Sequence, residues 1–242
     1  MKAFGTKYPI LFEILLFIAA MLLSIAFGLP GMILYFPVEI SNAIGRILCG
    51  IVLFFVFRYC FAENRPGAGI PYAAFGLILV LWNLLNSLVF TAGAQMNDVV
   101  RAVLLGLAPA VWEEIIFRGI FIFNLEKSGK SEWATLLISA VFFGIVHLTN
   151  AVGGSLLNVL IQTGYAIVIG MLFGAIYIRS RDILSVILLH AMIDISSNLF
   201  TGGQSAITPT VLAVFIGTLV LAAAYAVWLM RGAGTKSEAN AK

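Results

Sequence analysis

Eight apolar segments, each close to the length that crosses a bilayer, constrain the fold of this chain more than any other feature. A transmembrane helix needs about 20 mostly apolar residues. Of the 242 residues here, 62% are hydrophobic and only 10% are charged, whereas an ordinary soluble domain is about one quarter charged. The sequence therefore predicts an all-α, polytopic membrane protein. The predicted spans are 9–29, 43–61, 70–90, 99–123, 133–148, 156–178, 183–199 and 210–230.

The distribution of basic residues predicts how these helices are oriented. With eight spans, most of the 14 lysines and arginines fall in loops on the same side as the two termini. Arg46 and Arg101 fall on the opposite side, and Arg118 lies within a span. Cytoplasmic loops carry the excess of Lys and Arg. Both termini are therefore predicted to be cytoplasmic, in a multi-pass protein of the cytoplasmic (inner) membrane.

We expect one transmembrane domain over 1–230, with a core at 99–199 and a polar, disordered tail at 231–242. The chain has no basic, aromatic-interleaved patch of the kind that binds nucleic acid, so the expected surroundings are the lipid bilayer. Cys49 and Cys60 fall on one predicted helix. They are about 16 Å apart by helical rise, which is too far for a disulfide bond.

Two adjacent carboxylates and an arginine interrupt the fourth apolar segment. A charge in a membrane helix costs about 2.5–3.5 kcal/mol on insertion scales, so each of these groups needs a partner, a polar cavity or a chemical role. Glu114 and Arg118 are four residues apart and share one helix face, which predicts an ion pair. Glu113 points about 100° away from Glu114 and has no partner on its own helix. This lone carboxylate indicates a functional site.

Both histidines of the chain also fall within apolar segments. Glu113 and His147 lie at similar distances on either side of the predicted turn near Gly129, so antiparallel neighbouring helices would bring them to matching depth. His190 and Asp194 are four residues apart on another span and share a face. We expect the four side chains to converge, with Phe143 packing beside them.

These residue types suit the hydrolysis of an acyl bond, most usefully a peptide bond. Glu113 can take a proton from water, His147 can hold that water or stabilise developing charge, and His190, paired with Asp194, can donate to an oxyanion. An alternative uses Glu113, His147 and His190 as ligands of a catalytic zinc ion, because two histidines and a glutamate form a known zinc site. The residues alone do not separate a metal-free from a zinc-dependent mechanism. A transporter or proton relay is a further alternative.

Three motifs on separate predicted helices resemble those of the CAAX protease and bacteriocin-processing family, also called Abi. This family of intramembrane proteases is related to the eukaryotic prenyl-protein endopeptidase. The motifs are Glu113-Glu114-x-x-x-Arg118, Phe143-x-x-x-His147 and His190-x-x-x-Asp194.

The resemblance implies a core of eight helices, with Glu113 as the essential base and with His147, His190 and Asp194 completing the site. The prenyl-protein branch typically has Asn where this chain has Asp194. For this family we favour a metal-free glutamate mechanism without a cofactor, with zinc as the alternative. The expected function is that of an intramembrane endopeptidase of bacterial type, acting on a membrane-associated protein or peptide. The contrasting expectation is a non-catalytic scaffold, bacteriocin immunity factor or transporter that keeps the fold.

Overall fold

The computed structural model of the chain describes residues 1–85, 95–96, 98–152, 155–201 and 209–239. Helices account for most of them. The helices are α1 (Lys2–Lys7), α2 (Pro9–Ile33), α3 (Val38–Val56), α4 (Ile70–Leu85), α5 (Val99–Glu114), α6 (Ile122–Lys127), α7 (Glu132–Val146), α8 (Leu156–Ser180), α9 (Ile183–Asn198) and α10 (Pro209–Ala239). A π-helical segment, Ile115–Phe121, joins α5 to α6, and short 3₁₀ segments occupy Arg58–Phe61 and His147–Val152.

The predicted all-α membrane architecture is confirmed. Five helical stretches are long and apolar enough to cross a membrane, and two shorter apolar helices accompany them. Each of the eight predicted spans overlaps one of the main helices, although residues 86–90 at the end of the third span lie outside the described residues. The five long stretches are Pro9–Ile33, Val38–Val56, Glu132–Ala151, Leu156–Ser180 and Leu212–Arg231.

The structure differs from the sequence prediction at two places. The fourth predicted span is one helical run, but its hydrogen bonding changes from α to π after Glu114. A pair of two-residue strands, β1 (Gln95–Met96) and β2 (Phe200–Thr201), joins antiparallel between the start of α5 and the end of α9. Helix α10 continues through the polar segment from residue 231 to Ala239. Alanine, lysine and glutamate in this polar segment are good helix formers, and residues 240–242 lie outside the described residues.

The π segment forms the most deeply buried part of the bundle. All seven of its residues are buried, and α5 packs against α3 on one side and α9 on the other. The contact between α5 and α9 is close, because a Cβ on Gly106 would lie only 2.6 Å from the backbone nitrogen of Ile195. Helices α7 and α8 pack together on a further side of the same centre. The motif-bearing helices therefore surround one point.

Side-chain caps fix the starts of the helices that carry the motifs. Asp98 begins α5 by accepting hydrogen bonds from the backbone N–H groups of Val100 and Arg101, at 2.8 and 3.1 Å. Ser131 begins α7 by accepting one from Ala134. Asp182 begins α9 and also accepts a hydrogen bond from the backbone N–H of Gly69. Such caps satisfy N–H groups that the helix itself leaves without partners.

Cys49 and Cys60 are both buried free thiols. They do not share one helix as predicted, because α3 ends at Val56 and Cys60 lies in the following 3₁₀ segment.

Candidate active site

One cavity of about 420 Å³ brings together the four residues predicted to be reactive. Glu113 comes from α5, His147 from the end of α7, and His190 and Asp194 from α9. This volume lies in the usual range for a small-molecule or short-peptide site. The other residues that line it are Phe17, Met21, Ser24, Ile25, Asn42, Arg46, Pro109, Trp112, Phe143, Val146, Thr149, Asn150, Gln162, Tyr165, Ala166, Ile169, Phe173 and Ile193.

The two adjacent glutamates lie in different surroundings. Glu113 is half-buried and faces the cavity, whereas Glu114 is fully buried behind it. The ion pair predicted from spacing is present, with Arg118 Nη1 donating to Glu114 Oε1 at 3.0 Å. Neither member of this pair lines the cavity. Glu114 and Arg118 can therefore affect the site only through the residues that they contact.

Glu114 also contacts His190, and sequence reasoning missed this contact. His190 Nδ1 lies 2.7 Å from Glu114 Oε1, and the same oxygen therefore serves both Arg118 and His190. Helical spacing predicts only contacts within one helix, and this pair joins α5 to α9. The consequence is that the buried ion pair of the first motif orients a histidine of the third motif toward the cavity.

Aromatic rings enclose the Arg118 guanidinium. Its central carbon lies 4.1 Å from the centre of the Phe143 ring and 5.5 Å from that of Phe173, within the range of cation–π attraction. A further contact of 3.4 Å joins Nη2 to the carbonyl oxygen of Gly170. Phe143 thus packs between the buried charge and the cavity, as the sequence predicted.

His147 has one ring nitrogen fixed by the backbone. Its Nδ1 lies 2.7 Å from the carbonyl oxygen of Phe143. A carbonyl only accepts hydrogen bonds, so this nitrogen carries the proton and donates it. In the neutral ring the other nitrogen, Nε2, is then an acceptor. His147 stands where α7 passes into a 3₁₀ segment, and this change of geometry ends the α-helix at the edge of the cavity.

His190 lies between two carboxylates. Besides Nδ1 near Glu114, its Nε2 is 3.4 Å from Asp194 Oδ2. The second distance is longer than an optimal hydrogen bond, which leaves Nε2 able to turn toward a ligand. When the ring is protonated, both nitrogens donate. In that state the two histidines offer different groups to the cavity, namely an acceptor on a neutral His147 and a donor on His190.

The predicted zinc ligands do not form a three-ligand site in this arrangement. Both histidines keep Nδ1 in a hydrogen bond and have Nε2 available, which by itself would suit a metal. Among the described parts of the chain, however, no three His, Cys, Asp or Glu side chains are grouped closely enough to hold a metal ion. Glu113, His147 and His190 share a cavity without sharing a coordination point.

Polar residues outside the three motifs also line the cavity. Arg46 and Asn42 come from α3, and the Asn150 side chain donates to Gln162 Oε1 at 3.1 Å. Their signals in the sequence are weak, since Arg46 is a single charge in an apolar segment and Gln162 fits helix packing equally well. These residues reach the cavity because of the way the helices pack against each other, which the spacing of residues along the sequence does not predict.

A second cavity of about 460 Å³ adjoins the first. Gln162, Tyr165, Ile193 and Asp194 line both cavities. The remaining lining is mainly apolar and comes from α4, α8, α9 and α10. The further residues are Leu79, Trp82, Asn158, Ile161, Ser197, Phe215, Thr218 and Leu219.

Comparison with known proteins gives one match. A family model described as "Type II CAAX prenyl endopeptidase Rce1-like" matches residues 95–196, a range that contains all three motifs. No curated protein and no solved structure matches the chain. The resemblance predicted from the motifs is therefore confirmed: residues 95–196 match the Rce1-like type II CAAX prenyl endopeptidase family, consistent with the CAAX protease and bacteriocin-processing family.

Proposed function

We propose that this protein is an intramembrane endopeptidase that hydrolyses a peptide bond of a membrane-associated protein or peptide, with Glu113 as the general base. The observation that carries the proposal is the meeting of Glu113, His147, His190 and Asp194 at one cavity. The match to an endopeptidase family over the same residues supports it. The substrate would enter from the lipid bilayer.

In the first step, Glu113 takes a proton from a water molecule held against it. His147 Nε2 is suited to accept the other hydrogen of that water, because its Nδ1–H is already donated to the Phe143 carbonyl. The water oxygen attacks the carbonyl carbon of the scissile peptide bond, and the carbonyl oxygen becomes an oxyanion. A general base positioned in this way typically accelerates a reaction by about 10²- to 10⁴-fold. We expect a contribution of this size from Glu113.

In the second step, the tetrahedral intermediate collapses. The protonated His190 has donated from Nε2 to the oxyanion since the first step, in which this contact strengthened as negative charge developed on the oxygen. Glu113 returns its proton to the leaving nitrogen, the carbon–nitrogen bond breaks and the carbonyl re-forms. The products are a carboxylic acid and an amine, which exchange one proton to become a carboxylate and an ammonium group. Glu114 and Asp194, at 2.7 and 3.4 Å from the two ring nitrogens, compensate the charge of His190.

The Asp194 side chain replaces the Asn that is typical of the prenyl-protein branch. An ionised carboxylate accepts hydrogen bonds and does not donate, so Asp194 is assigned here to support His190 and not to bind the oxyanion. The adjoining second cavity, with its largely apolar lining, is suited to hold an apolar part of the substrate near the reacting bond.

Cleavage of a mixture of synthetic apolar peptides by the purified protein tests the proposal, with the products identified by mass. Wild type should cut, with and without a strong chelator, and Glu113→Gln should not. Glu39→Gln is the matched control, because Glu39 is an exposed carboxylate paired with Arg101. Loss of activity under chelator would point to a metal-dependent mechanism. Equal cleavage by wild type and Glu113→Gln would contradict the proposal and favour a non-catalytic role.

A further inference from the structure

Helix α3 is mostly apolar, but the face that it turns toward the cavity carries two polar side chains. Asn42 and Arg46 are one turn apart and both line the cavity. One turn further, a Cβ on Gly50 would lie 2.8 Å from Val111 Cγ1 and 3.5 Å from Trp112 Cα. Residues four apart share one helix face. The close approach at Gly50 therefore turns the face that carries Asn42 and Arg46 onto α5 and the site.

Arg46 differs from the other arginines on these helices in how its charge is compensated. Arg118 is completely buried and paired with Glu114, and Arg101 is paired with Glu39 at 3.4 Å. Among the ion pairs of the described residues, none includes Arg46. Its side chain is exposed and its guanidinium carbon lies 5.7 Å from the centre of the Trp112 ring.

The charges that line the cavity are unequally distributed. Glu113 on α5 and Asp194 on α9 provide two carboxylates, and Arg46 is the single Lys or Arg in the described lining. A cation within an apolar segment costs free energy unless it meets water or an anion. The planar guanidinium is best matched by a carboxylate, to which it donates two parallel hydrogen bonds. An amide such as that of Asn42 can add a further donor.

We propose that Arg46, assisted by Asn42, binds a carboxylate of the peptide substrate and thereby determines which peptides are cut. This inference rests on the proposed peptidase function. The carboxylate has two sources, the free C-terminus of a peptide and an acidic side chain. In either case the anion lies at the α3 wall while the scissile bond lies at Glu113. Arg46 is then a specificity-determining residue and takes no part in the proton transfers.

The test uses three versions of one peptide that wild type cleaves. The first has a free C-terminus, the second a C-terminal amide, and the third an amide together with a Gln-to-Glu change in its sequence. Wild type should cleave at least one carboxylate peptide with kcat/KM about tenfold or more above the plain amide, since hydrogen bonds to charged groups are the stronger class. The effect should appear mainly in KM, because the contact is equally present before and during reaction.

In Arg46→Gln the ratio of kcat/KM between the preferred carboxylate peptide and the amide should fall to near one. Arg46→Lys should keep part of this ratio, because the charge remains while the two-bond geometry is lost. Arg101→Gln, which removes a cation outside the cavity, should keep all of it. An unchanged ratio in Arg46→Gln, or no carboxylate preference in wild type, would overturn the inference while leaving the peptidase proposal intact. Absence of cleavage of every peptide by wild type would instead refute the peptidase proposal.

Discussion

Glu113 and Glu114 show how adjacent identical residues acquire different roles through the direction of their side chains. Helical geometry separates them by about 100°, so one reaches the cavity and the other reaches Arg118 and His190. The separation of Glu113 from the Glu114–Arg118 pair was predicted from spacing alone. The Glu114–His190 contact was not, because contacts between helices depend on packing and are invisible in the local pattern.

Arg118→Ala should destabilise the protein by about 3–5 kcal/mol, the usual cost of breaking a buried ion pair. Glu114 is fully buried, and the substitution leaves its carboxylate without the guanidinium that compensates it. The measurement is the folded yield from membranes together with thermal unfolding in detergent.

Arg101→Ala is the matched control for this experiment. It removes an ion pair whose side chains are 41% and 44% exposed, and exposed pairs contribute about 0–1 kcal/mol. Equal folded yield and unfolding temperature for Arg118→Ala and Arg101→Ala would show that the buried pair does not stabilise the bundle.

At the level of elements, the run from α5 through the π segment to α6 is the part that the sequence predicted least well. An apolar stretch with a helical pattern predicts a continuous helix. It does not indicate whether each backbone N–H bonds to the carbonyl four residues earlier, as in an α-helix, or five residues earlier, as in a π-helix. Such π segments are uncommon and often occur at functional sites. Here the segment begins directly after Glu114 and contains Arg118. The main helices themselves were predictable, because each of the eight predicted spans is a long apolar run.

Helix α9 depends on Asp182 for its position. The carboxylate accepts hydrogen bonds from the backbone N–H groups of Leu184 and Ser185, from the Ser185 hydroxyl and from the backbone of Gly69. Burial opposes ionisation of this group, but the hydrogen bonds from Ser185 and Gly69 outweigh it and hold the pKa of Asp182 below its ordinary value. The cap therefore ties the helix of His190 and Asp194 to the loop before α4.

Asp182→Ala should lower the free energy of unfolding at neutral pH by about 0.5–2 kcal/mol, as for other helix caps. A carboxylate whose pKa is lower in the folded than in the unfolded protein contributes stability that is fully present above its ordinary pKa, about 3.9. This contribution is lost as the pH falls through the folded value. The difference between wild type and variant, measured by thermal unfolding across pH, should therefore shrink below about pH 4. A difference that stays constant with pH would contradict the role of the ionised cap.

At the scale of the whole molecule, the orientation of the protein in the membrane is predicted by the sequence and is not revealed by the fold alone. Hydropathy identifies the helices, and the structure confirms a multi-pass membrane architecture. The direction of insertion follows only from the placement of Lys and Arg. Those residues predict that both termini, and the turn that contains Lys130, lie in the cytoplasm. The turn between α2 and α3, which contains Tyr35, would then lie outside.

Labelling of single cysteine variants in intact cells tests this orientation. Tyr35 is 95% exposed, so Tyr35→Cys should react with a membrane-impermeant maleimide added outside. Lys130→Cys should react only after the membrane is opened. The native Cys49 and Cys60 are buried and serve as the unlabelled background in wild type. Labelling of Lys130→Cys in intact cells, with protection of Tyr35→Cys, would reverse the predicted topology.

The central claim is that Glu113 activates water in a cavity at which packing brings together reactive residues of α5, α9 and the end of α7. The most direct measurement is the single-turnover rate of peptide cleavage per folded molecule, for wild type and Glu113→Gln in the same bilayer. The account predicts a wild-type folded yield for the variant and a rate lower by about 10²- to 10⁴-fold. A Glu113→Gln rate equal to that of wild type would contradict the assignment of Glu113 as the base.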